Sequence, residues 1–145
     1  MAWTLITGGA TRLGRETALA FAQAGWGVAC HYRHSQKAAQ DLCALIRAQG
    51  GSATAVQGDL EDEVSCRQLF DATIRVTGSD LLCVVNNASL FEPDDARAMD
   101  EAQALQQLQV NLMAPLRFSR WLAQLHEANP PPALPSGSAS VIHVL

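Results

Sequence analysis

Along the chain, short apolar runs rich in β-branched residues alternate with longer stretches whose apolar positions recur every three or four residues, and no interval repeats. WTLI (Trp3 to Ile6) reads as a first strand. Residues 11–24 read as a helix with Leu13, Thr17, Phe21 and Ala24 on one face, closed by Gly25. GVACHY (27–32) is a second strand, after which Ser35 caps a helix carrying Ala38, Leu42, Leu45 and Ile46 that stops at Gly50 and Gly51. SATAVQ (52–57) is a third strand. Asp62 to Thr77 form a third helix with Val64, Leu69, Thr73 and Ile74, and LLCVVN (81–86) is a fourth strand. Past a loop starting at Ala88, Leu105, Leu108, Leu112, Leu116 and Leu122 mark a long helix that ends before Pro130. NPPPALPSGS (129–138) continues neither helix nor strand and is a surface connection, and ASVIHVL (139–145) is a fifth strand. The alternation predicts an α/β fold: one doubly wound, Rossmann-like parallel sheet over residues 1–145, strand order 3-2-1-4-5. Its ligand crevice lies at the switch point between strands 1 and 4.

Composition adds exclusions. A length of 145 residues, 48% hydrophobic content and a formal net charge of -4 suit one globular domain. The first apolar run is too short to cross a bilayer and follows no basic leader, so a cytoplasmic protein with no membrane partner is expected. The four cysteines, Cys30, Cys43, Cys66 and Cys83, include no Cys-x-x-Cys pair and meet no histidine at zinc-ligand spacing. They are expected to be buried, reduced thiols, and no metal site is expected. Mild acidity without a basic run argues against a nucleic-acid partner.

The chemistry is concentrated in ITGGATRLGRE (6–16), where Thr7 to Gly14 follow a strand and open a helix. Gly8 and Gly9 permit a tight turn, Gly14 lets the helix approach the sheet, and the free N–H groups at the helix start attract a pyrophosphate. A glycine-rich turn without a ligand is the competing reading. Arg12 gives up a glycine's close approach but supplies forked donors for phosphate oxygens; as a solvated surface charge it would do neither.

TGGATRLG, HYRHS, GDL, NNAS and VNLMAP occur in the order of the short-chain dehydrogenase/reductase family, which the sequence resembles over nearly its whole length. Arg12 stands at the middle glycine of that family's Thr-Gly-x-x-x-Gly-x-Gly. With HYRHS and NNASLF, this departure resembles the pteridine reductase branch. The resemblance implies that Thr7, Gly8, Arg12, Leu13 and Gly14 hold cofactor phosphates, with Arg12 also reaching a pterin. The second strand ends in His31, Tyr32, Arg33, His34 and Ser35, with no acidic residue to bind a ribose 2′-hydroxyl, so NADP(H) is expected over NAD(H). Asp59 resembles the aspartate that accepts from the adenine amino group, with Leu60 beside it; a helix N-cap is its alternative role. By resemblance, Asn87, Ala88 and Ser89 lie along the cofactor, while Ser89 and Phe91 meet the substrate. Phe91 would stack a pterin against the nicotinamide, or else pack in the core. Asn111 matches the helical asparagine that orders a proton-relay water, the catalytic role assigned here. His31 and His143, in strands, have packing as their simpler reading, and His126 a place on the surface.

The family's general acid, a tyrosine four residues before a lysine, is absent: the only tyrosine is Tyr32 and the only lysine Lys37. A full member runs to roughly 250 residues. The expectation is therefore the N-terminal part of a longer NADPH-dependent reductase, inactive alone, that passes hydride to a pterin or related small-molecule substrate. The resemblance also implies a homo-oligomer, a tetramer formed through the long helix and a later one. A generic carbonyl or 3-oxoacyl reductase and a non-catalytic NADP(H)-binding module are the alternatives.

Overall fold

The computed structural model describes residues 1–130 and 139–144. Five strands, β1 (Trp3–Ile6), β2 (Gly27–Tyr32), β3 (Ala53–Gln57), β4 (Leu81–Asn86) and β5 (Ser140–His143), form one parallel sheet in the order β3-β2-β1-β4-β5. This is the predicted order. The crossovers carry α1 (Arg12–Gln23), α2 (Gln36–Ala48) and α3 (Glu63–Thr77). The β4 to β5 connection carries α4 (Glu101–Leu108) and α5 (Ala114–Ala128), joined by a π-helical turn over Gln109–Met113. The predicted connection at 131–138 and the last strand residue, Leu145, lie outside the described residues. Among the described residues no helix is long and apolar enough to cross a membrane.

Side chains alternate across a strand, so a sheet covered on both faces needs apolar residues in continuous runs. Leu5, Ala29 and Val84 fall in one core with Leu69, Phe70, Phe118 and Trp121 from α3 and α5. Their neighbours Ile6, Val28, Cys30, Cys83 and Val85 fall in a second core with Ala18, Ala39, Leu42, Cys43 and Ile46 from α1 and α2. All four cysteines are buried and free. Burial pushes the Cys66 thiol up to about 11, consistent with its packing role.

Several predicted helix faces are rotated. α1 buries Gly14 and Ala18 rather than Leu13, which is exposed, because only small residues let it lie this close to the sheet. α2 buries Ala39, Leu42, Cys43 and Ile46 and turns Leu45 outward, while α3 leaves Val64 exposed and buries Cys66, Leu69, Phe70 and Thr73. The largest reversal is the leucine stripe: Leu105, Leu108, Leu112 and Leu116 are exposed, and the covered face is Val110, Ala114, Phe118, Trp121 and Leu122. Ser35 precedes α2 without a side-chain cap bond, whereas Asp62 caps α3 by accepting from Ser65 N–H at 2.7 Å. His126 is half-buried rather than on the surface, its Nε2 donating to Leu81 O at 2.8 Å.

Candidate functional site

The site is built where β1 and β4 end side by side. Thr7, the residue after β1, is buried, and its hydroxyl accepts from both Asn87 N–H and Ala88 N–H at 3.0 Å. The Asn87 amide returns the contact, Nδ2 donating to Thr7 O and Gly8 O at 3.1 Å each. One hydroxyl and one amide thus fasten the glycine loop to the loop after β4.

His31 fastens it from the other side. Gly8 N–H donates to His31 Nδ1 at 3.0 Å, and Nε2 lies 2.9 Å from Gly58 O, which assigns the ring hydrogen to Nε2. Burial holds the imidazole below its ordinary pKa of 6.5, so the neutral tautomer is the folded one. The unfolded state then binds more protons once pH falls below about 6.5, and the stability the neutral ring supplies is present above that value and lost beneath it. Thermal unfolding followed from pH 7.5 to 5.5 is expected to show the midpoint falling with pH; a flat or rising midpoint would contradict this assignment.

Gly8 adopts φ 61 and its missing Cβ would lie 3.1 Å from Ala88 Cα; Gly14 comes closer still, its missing Cβ only 2.1 Å from Gly8 O. Arg12 is the one non-glycine residue at positive φ among the described residues, at 50. It stands where the family pattern has glycine and keeps the glycine's conformation, at a cost of about 1–2 kcal/mol for a residue with a Cβ. α1 opens with no side-chain cap bond from Thr11 and no acidic residue in its first turn, so its leading N–H groups face the cleft uncompensated.

These elements enclose a cleft of about 340 Å³ lined by Gly8, Arg12, Leu13, Asn87, Ala88 and Ser89, with His31, Arg33, Asp59 and Leu60 at the end over β2 and β3. Arg33 Nη2 lies 2.9 Å from Glu61 Oε1 and 3.4 Å from Asp59 Oδ2. Asp59 Oδ1 also accepts from Glu61 N–H, which makes it a turn cap and leaves the α3 cap to Asp62. Tyr32 is half-buried against the α1–α2 core, and His34 and Ser35 are exposed at the turn into α2. A second cleft of about 460 Å³ shares Ala88 and Ser89 and extends to Asn111, Leu116 and His143.

Asn111 lies in the π turn, and its side chain grips the loop after β4: Nδ2 donates to Leu90 O at 2.7 Å and Oδ1 accepts from Leu90 N–H at 2.8 Å. Phe91, the next residue, is 81% exposed and so is not core. Glu61 and Gln106 were absent from the sequence reading. Gln106 Nε2 donates to Glu61 Oε1 at 2.7 Å, a contact between residues far apart in sequence that no local pattern announces.

The family model described as short chain dehydrogenase matches residues 2–130. Among curated proteins, an uncharacterized oxidoreductase, YgfF of Escherichia coli (strain K12), is 41% identical over 91 residues, 63% of this chain and 36% of that protein. The short-chain dehydrogenase/reductase homolog YusS of Bacillus subtilis (strain 168) is 34% identical over 101 residues, 67% of this chain and 91% of that one. Among solved structures, FolM alternative dihydrofolate reductase 1 from Brucella canis, complexed with NADP, superposes with a TM-score of 0.85 at 30% identity. The match covers 99% of this chain and 55% of that chain, so the chain spans about half the length of that relative. A short chain dehydrogenase from Burkholderia cenocepacia in complex with NADP gives 0.80 at 32% identity, covering 85% of this chain and 50% of that one.

Proposed function

The chain belongs to the short-chain dehydrogenase/reductase family, and from that premise we propose that it carries the NADP(H) site of a reductase whose hydride acceptor is a pterin. The observation that carries the cofactor half is Arg33 at the end of β2, facing a cleft whose other end is the uncapped start of α1. A dinucleotide laid between them puts its pyrophosphate on the α1 N–H groups and Arg12, and its 2′-phosphate on Arg33. The relatives solved with NADP support the same choice.

The pterin half rests on Arg12 and Phe91. A strained arginine persists where glycine would be free of strain, which gives its side chain a role worth that cost. Phe91 lines neither of the two clefts described above, but its ring is left in solvent just past a strand, on a loop gripped by Asn111, and an exposed ring there supports a cover for a planar ligand. Asn111 itself acts as a positioning residue for that loop, and its place in a π turn, a feature frequent at functional sites, supports a part in the proton relay. The reaction would pass hydride from the cofactor and a proton from a group outside this chain's residues, since no Tyr-x-x-x-Lys pair occurs in it. The uncovered stripe of Leu105, Leu108, Leu112 and Leu116 supports a homo-oligomer. A cytoplasmic setting, where NADPH is available to such a site, is part of the same proposal.

The test is one set of calorimetric titrations. Arg33→Ala is expected to weaken NADPH by about 1.5 kcal/mol, the low end for a charge-assisted hydrogen bond because the arginine also gives up its ion pairs, and to leave NADH unchanged. Phe91→Ala is expected to lose dihydrobiopterin binding to the NADP-loaded chain, with NADPH affinity and melting temperature unchanged. Equal losses of NADPH and NADH would refute the 2′-phosphate assignment. Intact pterin binding by Phe91→Ala would refute the role of Phe91, and a parent chain that binds no dihydrobiopterin would move the reading to a generic carbonyl reductase.

A further inference from the structure

We propose that Glu61 is a specificity-determining residue that limits how strongly this site prefers a 2′-phosphorylated adenosine, an inference that rests on the NADP(H) reading above. Arg33 does not wait in the cleft as a free cation. Its Nη2 is 2.9 Å from Glu61 Oε1 and 3.4 Å from Asp59 Oδ2, so two carboxylates already balance it. The two acids are placed differently. Asp59 lines the cleft and is held by the turn at Glu61 N–H. Glu61 is the more buried of the pair, its side chain 25% exposed against 35%, and the same Oε1 that meets Arg33 also accepts from Gln106 Nε2 at 2.7 Å.

That second contact decides the consequence. When a phosphate draws Arg33 toward the cleft, Glu61 does not follow the arginine or swing into solvent, because α4 holds it through Gln106. Its negative charge stays within one guanidinium's reach of the incoming dianion. The phosphate therefore meets an arginine whose charge is already balanced and a fixed like charge behind it. A 2′-hydroxyl carries no charge and meets neither penalty, so the effect falls on the phosphorylated nucleotide alone. The arrangement sets an upper limit on discrimination that the arginine by itself would exceed.

Two ligands that differ only by the 2′-phosphate isolate the effect: adenosine 2′,5′-bisphosphate and 5′-AMP, titrated calorimetrically into the chain. Glu61→Gln keeps an oxygen for Gln106 and removes the charge; Glu61→Ala removes charge and anchor together. Both are expected to tighten the bisphosphate by about 2- to 5-fold, the scale of a partly exposed charge contact, and to leave 5′-AMP within about 1.5-fold. The gain is expected to shrink as salt is raised from about 0.05 to 0.5 M. Unchanged bisphosphate affinity in both variants, or an equal gain for both ligands, overturns the role of Glu61 and leaves the cofactor reading standing. A parent chain that binds 5′-AMP and the bisphosphate equally, with Arg33→Ala without effect, overturns both.

Discussion

Replacing Phe118 with alanine is expected to lower the unfolding free energy by about 4 kcal/mol, within the range for emptying a buried aromatic site. Phe118 is fully buried, stacked on Phe70 with ring centroids 6.4 Å apart and edge-on to Trp121 at 5.8 Å, and it packs in the core beneath Leu5 and Val84. The ring centroids of Phe70 and Trp121 lie 5.7 Å apart, so the three rings brace one another and removing one takes packing from the other two. Leu116→Ala, on the same helix but 52% exposed, is expected to cost under about 0.5 kcal/mol. Urea unfolding of both variants decides the matter. Similar losses for the two would mean that the aromatic face is no better buried than the leucine stripe.

That contrast also marks how far hydrophobic pattern carries. The strands were legible because they sit between two helical layers: Leu5 and Ile6, or Val84 and Val85, are apolar in succession only where both faces are covered. Strand order followed from the crossovers. Which side of a helix faces inward was less legible, since a stripe with helical spacing records an apolar face and not what covers it. Leu105, Leu108, Leu112 and Leu116 satisfy the period and face outward, while Ala114, Phe118 and Trp121 satisfy it and face the sheet. In α1 the inward face is made of the smallest residues, Gly14 and Ala18, which hydropathy ranks below Leu13.

The second large effect is at Gly14. Gly14→Ala is expected to cost about 3 kcal/mol, the upper part of the overpacking range, and to abolish nucleotide binding within the reach of a millimolar titration. The added Cβ would lie 2.1 Å from Gly8 O and 2.7 Å from Asn87 Nδ2, so backbone and clasp would both have to move. The groups displaced are the same ones that hold the glycine loop in place. Gly25→Ala is the control: its φ is 84 but nothing lies within 4 Å, so it should show only the backbone penalty of about 1–2 kcal/mol and keep ligand binding. Urea unfolding with adenosine 2′,5′-bisphosphate titration separates crowding from strain, and a Gly14→Ala chain that binds like the parent would refute the close approach of α1 to the loop.

The contents of the site were legible in proportion to their sequence locality. Thr7, Gly8, Arg12 and Gly14 lie within one strand-turn-helix, and all line or border one cleft. Arg33 was legible as a cation at a strand end, but its ion pairs with Asp59 and Glu61 were not, because they cross from β2 to the loop after β3. His31 has both a local and a tertiary identity. Its place in a strand suggested packing, and only the fold shows the ring joining Gly8 to Gly58. Asn111 called for a polar contact in an apolar helix, and the contact is the backbone of Leu90, far away in sequence.

The π turn at Gln109–Met113 makes residue count, as well as residue identity, a determinant of this molecule. A helix advances about 100° of azimuth per residue, so one extra residue in a turn sets a phase offset between whatever precedes and follows it. Here the offset lets Asn111 meet the Leu90 loop while Phe118, Trp121 and Leu122 meet the sheet. Deleting a single residue between 109 and 113 would close that offset, and whichever segment kept its contacts would rotate the other off target. A deletion of equal length in the loop over 92–94, ahead of the Asp95 turn, is expected to cost less, because no helix phase depends on it. Insertions and deletions are thus tolerated or refused here by angle, and the boundary between the two regimes falls between residues 94 and 109.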